Sequence, residues 1–155
     1  MSLSRGQYIA ILLVALVGVT LAFLPHHSDV DPSADLNQKV MEAVEIIESG
    51  TQPPMKAIGM LKEVLEKDPE NELALYQLGK FSMISGQFDK AKIRLENLLE
   101  VNPNHDEARL MLAQSLLALQ DTAKAVEQYS RLLETSDDPN FKEEARNYIE
   151  KLKNL

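Results

Sequence analysis

Cysteine and tryptophan are both absent from the 155 residues, and aromatic side chains make up only 5%. Without cysteine there are no disulfides, no thiolate metal sites and no lipid attachment through a thiol. Positive charge is also scarce: 16 Lys and Arg stand against 24 Asp and Glu, a net charge of −8. Arg5 is the only charged side chain in residues 1–24, so taking its +1 from the total leaves −9 on the rest. Surface that acidic repels phosphate backbones, which argues against nucleic acid as the main partner. No glycine-rich phosphate loop occurs, no histidine pair at metal-ligating spacing, and no nucleophile with a base to activate it. His26 and His27 are adjacent in a polar stretch, and His105 lies in the turn Pro103-Asn104-His105-Asp106; all three read as solvated residues. The carboxylates alternate with Lys and Arg, as on solvated helical faces. The expectation is a non-catalytic protein with no cofactor and no metal.

What the chain does have is a period. Alanine recurs every 34 residues, at Ala57, Ala91 and Ala125. A larger apolar residue follows four positions later each time: Leu61, Leu95 and Tyr129. Pro69 and Pro103 come twelve positions after the first two alanines. In the second copy, Leu75, Leu78 and Gly79 follow the i, i+3, i+4 spacing of an amphipathic helix. A glycine inside a helix costs about 0.8–1 kcal/mol relative to alanine. Gly79, with its counterpart Ala113, therefore predicts a close approach of two helices. Gly86 is expected to cap the first helix in the left-handed conformation. One such unit cannot bury its own apolar stripe, so the copies must stack.

The run ELALYQLGKFSMISGQFDKAKIRLENLLEVNP, with Leu75, Leu78, Gly79, Gly86, Phe88, Ala91, Leu95 and Pro103 in register, resembles the tetratricopeptide repeat, a helix-turn-helix unit of 34 residues. The resemblance covers roughly Leu36 to the end. It implies an all-α solenoid of three hairpins, at about 36–70, 71–104 and 105–139, closed by a capping helix at 140–154. In the first copy, Val40, Ala43, Val44 and Ile47 are the expected buried stripe. They fit the register only if the turn Gly50-Thr51-Gln52-Pro53-Pro54 carries an extra residue. The second helix of that copy is placed at Met55 to Lys67. In the third, Asn104 and Glu107 have capping-box spacing, and Asp121 or Thr122 caps the second helix. The terminal proline is displaced to Pro139, ahead of a last helix from Phe141 to Lys153 with a polar outer face.

Ahead of the repeats lies a different kind of sequence. Residues 1–8 are short and polar. Ile9 to Leu24 contains nothing more polar than Gly18 and Thr20, and from Tyr8 to Pro25 the apolar stretch is close to the roughly 17–25 residues that span a bilayer. The first expectation is an uncleaved transmembrane anchor at 9–24, with Tyr8 at the headgroups and Pro25 ending the helix. A cleaved signal peptide is the alternative, with Thr20-Leu21-Ala22 as an approximate cleavage site; a buried soluble helix is a third. Arg5 before the span and Asp29, Asp31 and Asp35 after it put the N-terminus inside and the repeats outside. In a Gram-negative cell that is the inner membrane with the repeats in the periplasm. Residues 25–35 read as a flexible linker.

The family resemblance further implies a concave groove, lined by the first helix of each repeat, that binds peptides. Carried over position by position, the groove takes Met41 and Glu45 from the first copy. The second supplies Leu73, Tyr76, Gln77, Lys80 and Met83, and the third Leu110, Met111, Gln114 and Leu117. Family members that grip a partner's terminal carboxylates do so with lysine, asparagine and arginine where this chain has Met41, Glu45, Glu107 and Met111. Lys80 is the only groove cation, so the expected ligand is an apolar or amphipathic segment held with little help from charge. The function implied is a membrane-anchored protein-interaction scaffold. It would serve assembly or maturation of an exported or membrane complex, cytochrome c maturation among the examples. The alternatives are a structural subunit docked through its transmembrane helix, with Gly18 and Thr20 facing a neighbour, a homodimer that covers the apolar face, and a soluble secreted protein.

Overall fold

Proline, the residue least welcome inside a helix, opens three of the seven helices among the described residues, where its fixed φ and missing N–H cost nothing. The computed structural model describes residues 32–153: α1 (Pro32–Ser49), α2 (Pro54–Lys67), α3 (Glu72–Ile84), α4 (Phe88–Val101), α5 (Asp106–Ala118), α6 (Thr122–Thr135) and α7 (Pro139–Lys153). The expected membrane span at 9–24 lies outside the described residues. Among those described, no helix is long and apolar enough to cross a membrane. α1 takes in residues 32–35, which the sequence had placed in the linker, and α7 starts at Pro139, two residues before the expected Phe141.

Consecutive helices pair as α1/α2, α3/α4 and α5/α6, and each pair stacks on the next through α2/α3 and α4/α5, with α7 against both α6 and α5. Ala57, Ala91 and Ala125 are fully buried, as are Leu61, Leu95 and Tyr129. The 34-residue period is thus a period of helix–helix contact. Each fully buried leucine of this series contributes about 1.5–3 kcal/mol. An ideal Cβ on Gly79 would sit 2.9 Å from Leu95 Cδ2 and 3.2 Å from its Cγ, so α3 and α4 touch where the sequence required a small residue. In α1 the buried stripe is Leu36, Val40, Ala43 and Ile46, while Val44 and Ile47 are only partly covered. The stripe is rotated from the expected one because α1 packs on α3 as well as on α2.

The turns repeat as closely as the helices. At the end of α3, the Gly86 N–H donates to Met83 O (3.1 Å) and the Gln87 N–H to Ser82 O (2.8 Å). At the end of α5, the Gln120 N–H donates to Leu117 O (2.9 Å) and the Asp121 N–H to Leu116 O (2.9 Å). Both are the paired C-terminal bonds that require a left-handed residue. That residue is Gly86 (φ +69°) in one case and Gln120 (φ +63°), 34 positions later, in the other. Asp121 caps α6, accepting from the Lys124 N–H at 3.2 Å. α5 departs from expectation: its N-cap is His105, whose Nδ1 accepts from the Ala108 N–H at 3.3 Å, and not Asn104. Asn104 is held one residue too early, its own N–H donating to Asn102 Oδ1.

Polar side chains set the pitch between elements. The Asn102 amide donates to Glu72 Oε1 (2.7 Å), and the Ser136 hydroxyl to Asp106 Oδ2 (2.5 Å). Each bond ties the turn after a repeat's second helix to the start of its first. Within the hairpins an arginine crosses from one helix to the other. The Arg94 guanidinium donates to the buried Ser82 hydroxyl and, at 3.4 Å, to Leu78 O. Arg109, only 6% exposed, reaches Gln128 Oε1 (3.2 Å) and Pro103 O. Burial lowers the pKa of both arginines; both stay charged, and each must keep its acceptors.

Candidate functional site

Helix α1 turns one face to no other described helix. Met41 there is 60% exposed, and with Gln38, Val44 and the carboxylates of Glu42, Glu45 and Glu48 it lines a shallow depression of about 750 Å³. The groove residue Met41 and its neighbour Glu45 are therefore accessible together. On α3, the first helix of the next repeat, the second copy's residues split. Leu73 and Tyr76 are half-buried and line a separate cleft of about 700 Å³. Lys80 is exposed, and Gln77 and Met83 are partly buried, outside the cleft.

The cleft is built at the seam where repeats meet. Asn71 caps α3, its Oδ1 accepting from the Ala74 N–H (3.0 Å) while its amide donates to Asp68 Oδ2 (3.1 Å) and to Asn37 Oδ1 of α1 (3.3 Å). That links α1, the α2/α3 turn and α3. From the other side, His105 stacks on Tyr76, ring centroids 5.2 Å apart and planes 25° from parallel. Since the His105 Nδ1 accepts the α5 cap bond, one imidazole both begins α5 and holds the tyrosine. Lys80 Nζ lies 5.8 Å from the Tyr76 ring centroid, a cation–π distance. Burial, and then the Glu107 carboxylate, push the Tyr76 phenol up to about 12. Val101 completes the apolar lining, and Asp68, Glu70, Glu72 and Glu107 supply the charge.

The third copy's part of the expected groove is different. Leu110 and Met111 are only 7% and 9% exposed and belong to the core, so they do not offer the open surface expected of them. Gln114 and Leu117 are partly buried, Leu117 against the same core. The reason is α7. It packs on α5 as a further first helix would, bringing Phe141, Tyr148, Ile149 and Leu152 onto that core. Tyr148 stacks on the buried Tyr129 at 4.9 Å and 7°. The structure therefore brings Leu73 and Tyr76 into one cleft, leaves Met41 on a neighbouring face, and removes Leu110 and Met111 to the interior. His105 and Val101 had no groove assignment in the sequence. The 34-residue register could have flagged His105 only through its place one residue before α5.

Comparison with known proteins agrees with this architecture. The family model described as tetratricopeptide repeat matches twice, over residues 55–100 and 82–146. Among solved structures, the first TPR of Spaghetti (RPAP3) bound to the HSP90 peptide SRMEEVD is 19% identical, with a TM-score of 0.64 over 82% of this chain and 98% of that one. The N-terminal domain of stress-induced protein-1 from C. elegans is 14% identical, with a TM-score of 0.65 over 77% and 98%. MamA AMB-1 is 20% identical, with a TM-score of 0.60 over 84% of this chain and 70% of that one. At these identities the likeness is one of fold.

Proposed function

Because the chain belongs to the tetratricopeptide repeat family, we propose that it is a protein-interaction scaffold. It takes a peptide or helix of a partner protein on the face of α1 and α3, and residues 9–24 hold it to a membrane with the repeats outside. A binding role fits a surface with an open apolar cleft. The observation that carries the reading is the Leu73–Tyr76 cleft, since half-buried apolar side chains around an open volume of about 700 Å³ mark an interaction site. Its aromatic member is held rigidly by His105, so little ordering remains to be done on binding.

The peptide of the Spaghetti complex, SRMEEVD, carries three carboxylate side chains and would meet like charge here. Glu45 and Glu107 stand where a terminal-carboxylate clamp needs cations, so a peptide of that kind is not the expected ligand. The membrane part of the reading is supported by the apolar run Ile9–Leu24 and by Arg5 ahead of it.

Paired baits test the proposal: the full chain in detergent and residues 32–155, each analysed by mass spectrometry after affinity capture. A partner retained by both baits, and lost with Tyr76→Ala in both, supports the cleft. A partner retained by the full chain alone would make the protein a structural subunit docked through its N-terminal segment. Carbonate washing of membranes, with a reporter active only outside the cytoplasm fused after Leu155, checks anchoring and orientation. An inactive fusion beside an active cytoplasmic reporter overturns the orientation.

A further inference from the structure

Charge around the apolar surface is one-sided. The cleft at Leu73, Tyr76 and Val101 is lined by four carboxylates and by no lysine or arginine. The depression around Met41 has three carboxylates and again no cation. The ion pairs among the described residues are Lys39–Glu63, Lys124–Asp121 and Arg131–Glu127, and none uses a carboxylate of either site. Within the cleft, Asp68 and Glu72 accept from the neutral amides of Asn71 and Asn102, which orient them without cancelling their charge. Lys80 leans over Tyr76 beside this set. By register alone, charge is secondary in the groove. The fold adds Asp68, Glu70 and Glu72 from the α2/α3 turn and the start of α3 to the rim of the same cleft.

Resting on the groove reading above, we propose that the segment bound there is cationic as well as apolar: a stretch of a partner protein carrying lysines or arginines flanked by leucine-like side chains. The apolar side chains seat on Leu73, Tyr76 and Val101, and the positive charges lie along the rim formed by Glu70, Glu72 and Glu107. Complementary potentials of this kind select the partner and speed its encounter. Each competing occupant meets repulsion. An acidic peptide and a nucleic acid face uncompensated carboxylates, and a second copy of this chain brings a net charge of −8.

The test uses the full chain in detergent and three fluorescent synthetic peptides of equal length. One is amphipathic with leucines and lysines, one has the lysines replaced by glutamates, and one keeps the lysines but has serines for leucines. The leucine–lysine peptide is expected to bind at least tenfold more tightly than either of the others. Its affinity should fall severalfold between low and moderate salt. Glu70→Lys, at an exposed position on the cleft rim, should weaken it at least fivefold. Glu134→Lys, exposed on α6, should change it less than twofold. Equal losses in Glu70→Lys and Glu134→Lys would mean general attraction to an acidic protein and would overturn the proposal. Equal affinity for the lysine and glutamate peptides, with both weakened by Leu73→Ser, would overturn the charge inference and keep the groove. Binding indifferent to Leu73→Ser would remove the groove reading itself. Concentration-dependent self-association that blocks the peptides would assign the face to a second copy and overturn the proposal.

Discussion

Gln120 and Gly86 invite an exchange, because the fold asks the same of both and only one is suited to it. Each occupies the left-handed position of a helix C-terminus, at φ +63° and +69°, and each turn makes the same two backbone hydrogen bonds. A non-glycine residue in that conformation costs roughly 1–2 kcal/mol. Introducing glycine gives back about 0.4–1 kcal/mol by loosening the unfolded chain. Gln120→Gly is therefore expected to stabilise the repeat domain by about 0.5–1 kcal/mol, and Gly86→Gln to destabilise it by a similar amount. Packing does not confuse the comparison, since both residues are exposed and an added Cβ at Gly86 meets nothing within 4 Å. The assay is urea and thermal unfolding of residues 32–155, whose described residues form one compact unit. For a domain of this size, about 1 kcal/mol moves Tm by roughly 3–6 °C. The double variant should return close to the parent. If Gln120→Gly is neutral or destabilising while Gly86→Gln is harmful, the two turns are not equivalent and the argument from register fails.

Gly79→Leu should cost at least about 1–3 kcal/mol by overpacking, more than the roughly 1 kcal/mol of Gly86→Ala, because α3 and α4 already meet at Leu95; comparable melting shifts would mean the contact is misassigned. Ser82→Ala removes the hydroxyl that accepts from Arg94 and should cost about 0.5–1.5 kcal/mol in urea unfolding, since the partly buried guanidinium then keeps only its longer bond to Leu78 O. His105→Ala should lose a helix cap worth about 1 kcal/mol, and His105→Asn should recover most of it; the asparagine variant should still weaken peptide binding if the stack on Tyr76 matters to the cleft. Tyr76 is raised in the folded state to about 12 from the ordinary 10, so its contribution to stability is complete below pH 10 and is lost as pH rises toward about 12. Spectrophotometric titration should show one tyrosinate missing between those values in Tyr76→Phe, and a Tyr76 that ionises near 10 would show the phenol to be open to water.

The period of 34, the small residue at Gly79 and the turn glycine at Gly86 were legible because each is a local demand of the backbone or of one helix pair. A helix pitch dictates which residues share a stripe, and a positive φ dictates which residue is cheap, before any partner is known. The cap of α5 was misplaced for a related reason: Asn104 and His105 both offer an acceptor, and which one faces the first free N–H depends on how the Asn102 turn is tied down. Leu110 stands one period after Tyr76, but only packing says that Leu110 is buried in the core that α7 also joins while Tyr76 stays half-open. The arginines gave no signal at all, because Arg94 and Ser82, or Arg109 and Gln128, meet across a hairpin at separations that no helical period links. The acidity of the cleft likewise arises where the α2/α3 turn, the start of α3 and the start of α5 converge. Sequence order distributes those carboxylates among three elements, and it is the stacking of one repeat on the next that places them around a single apolar surface.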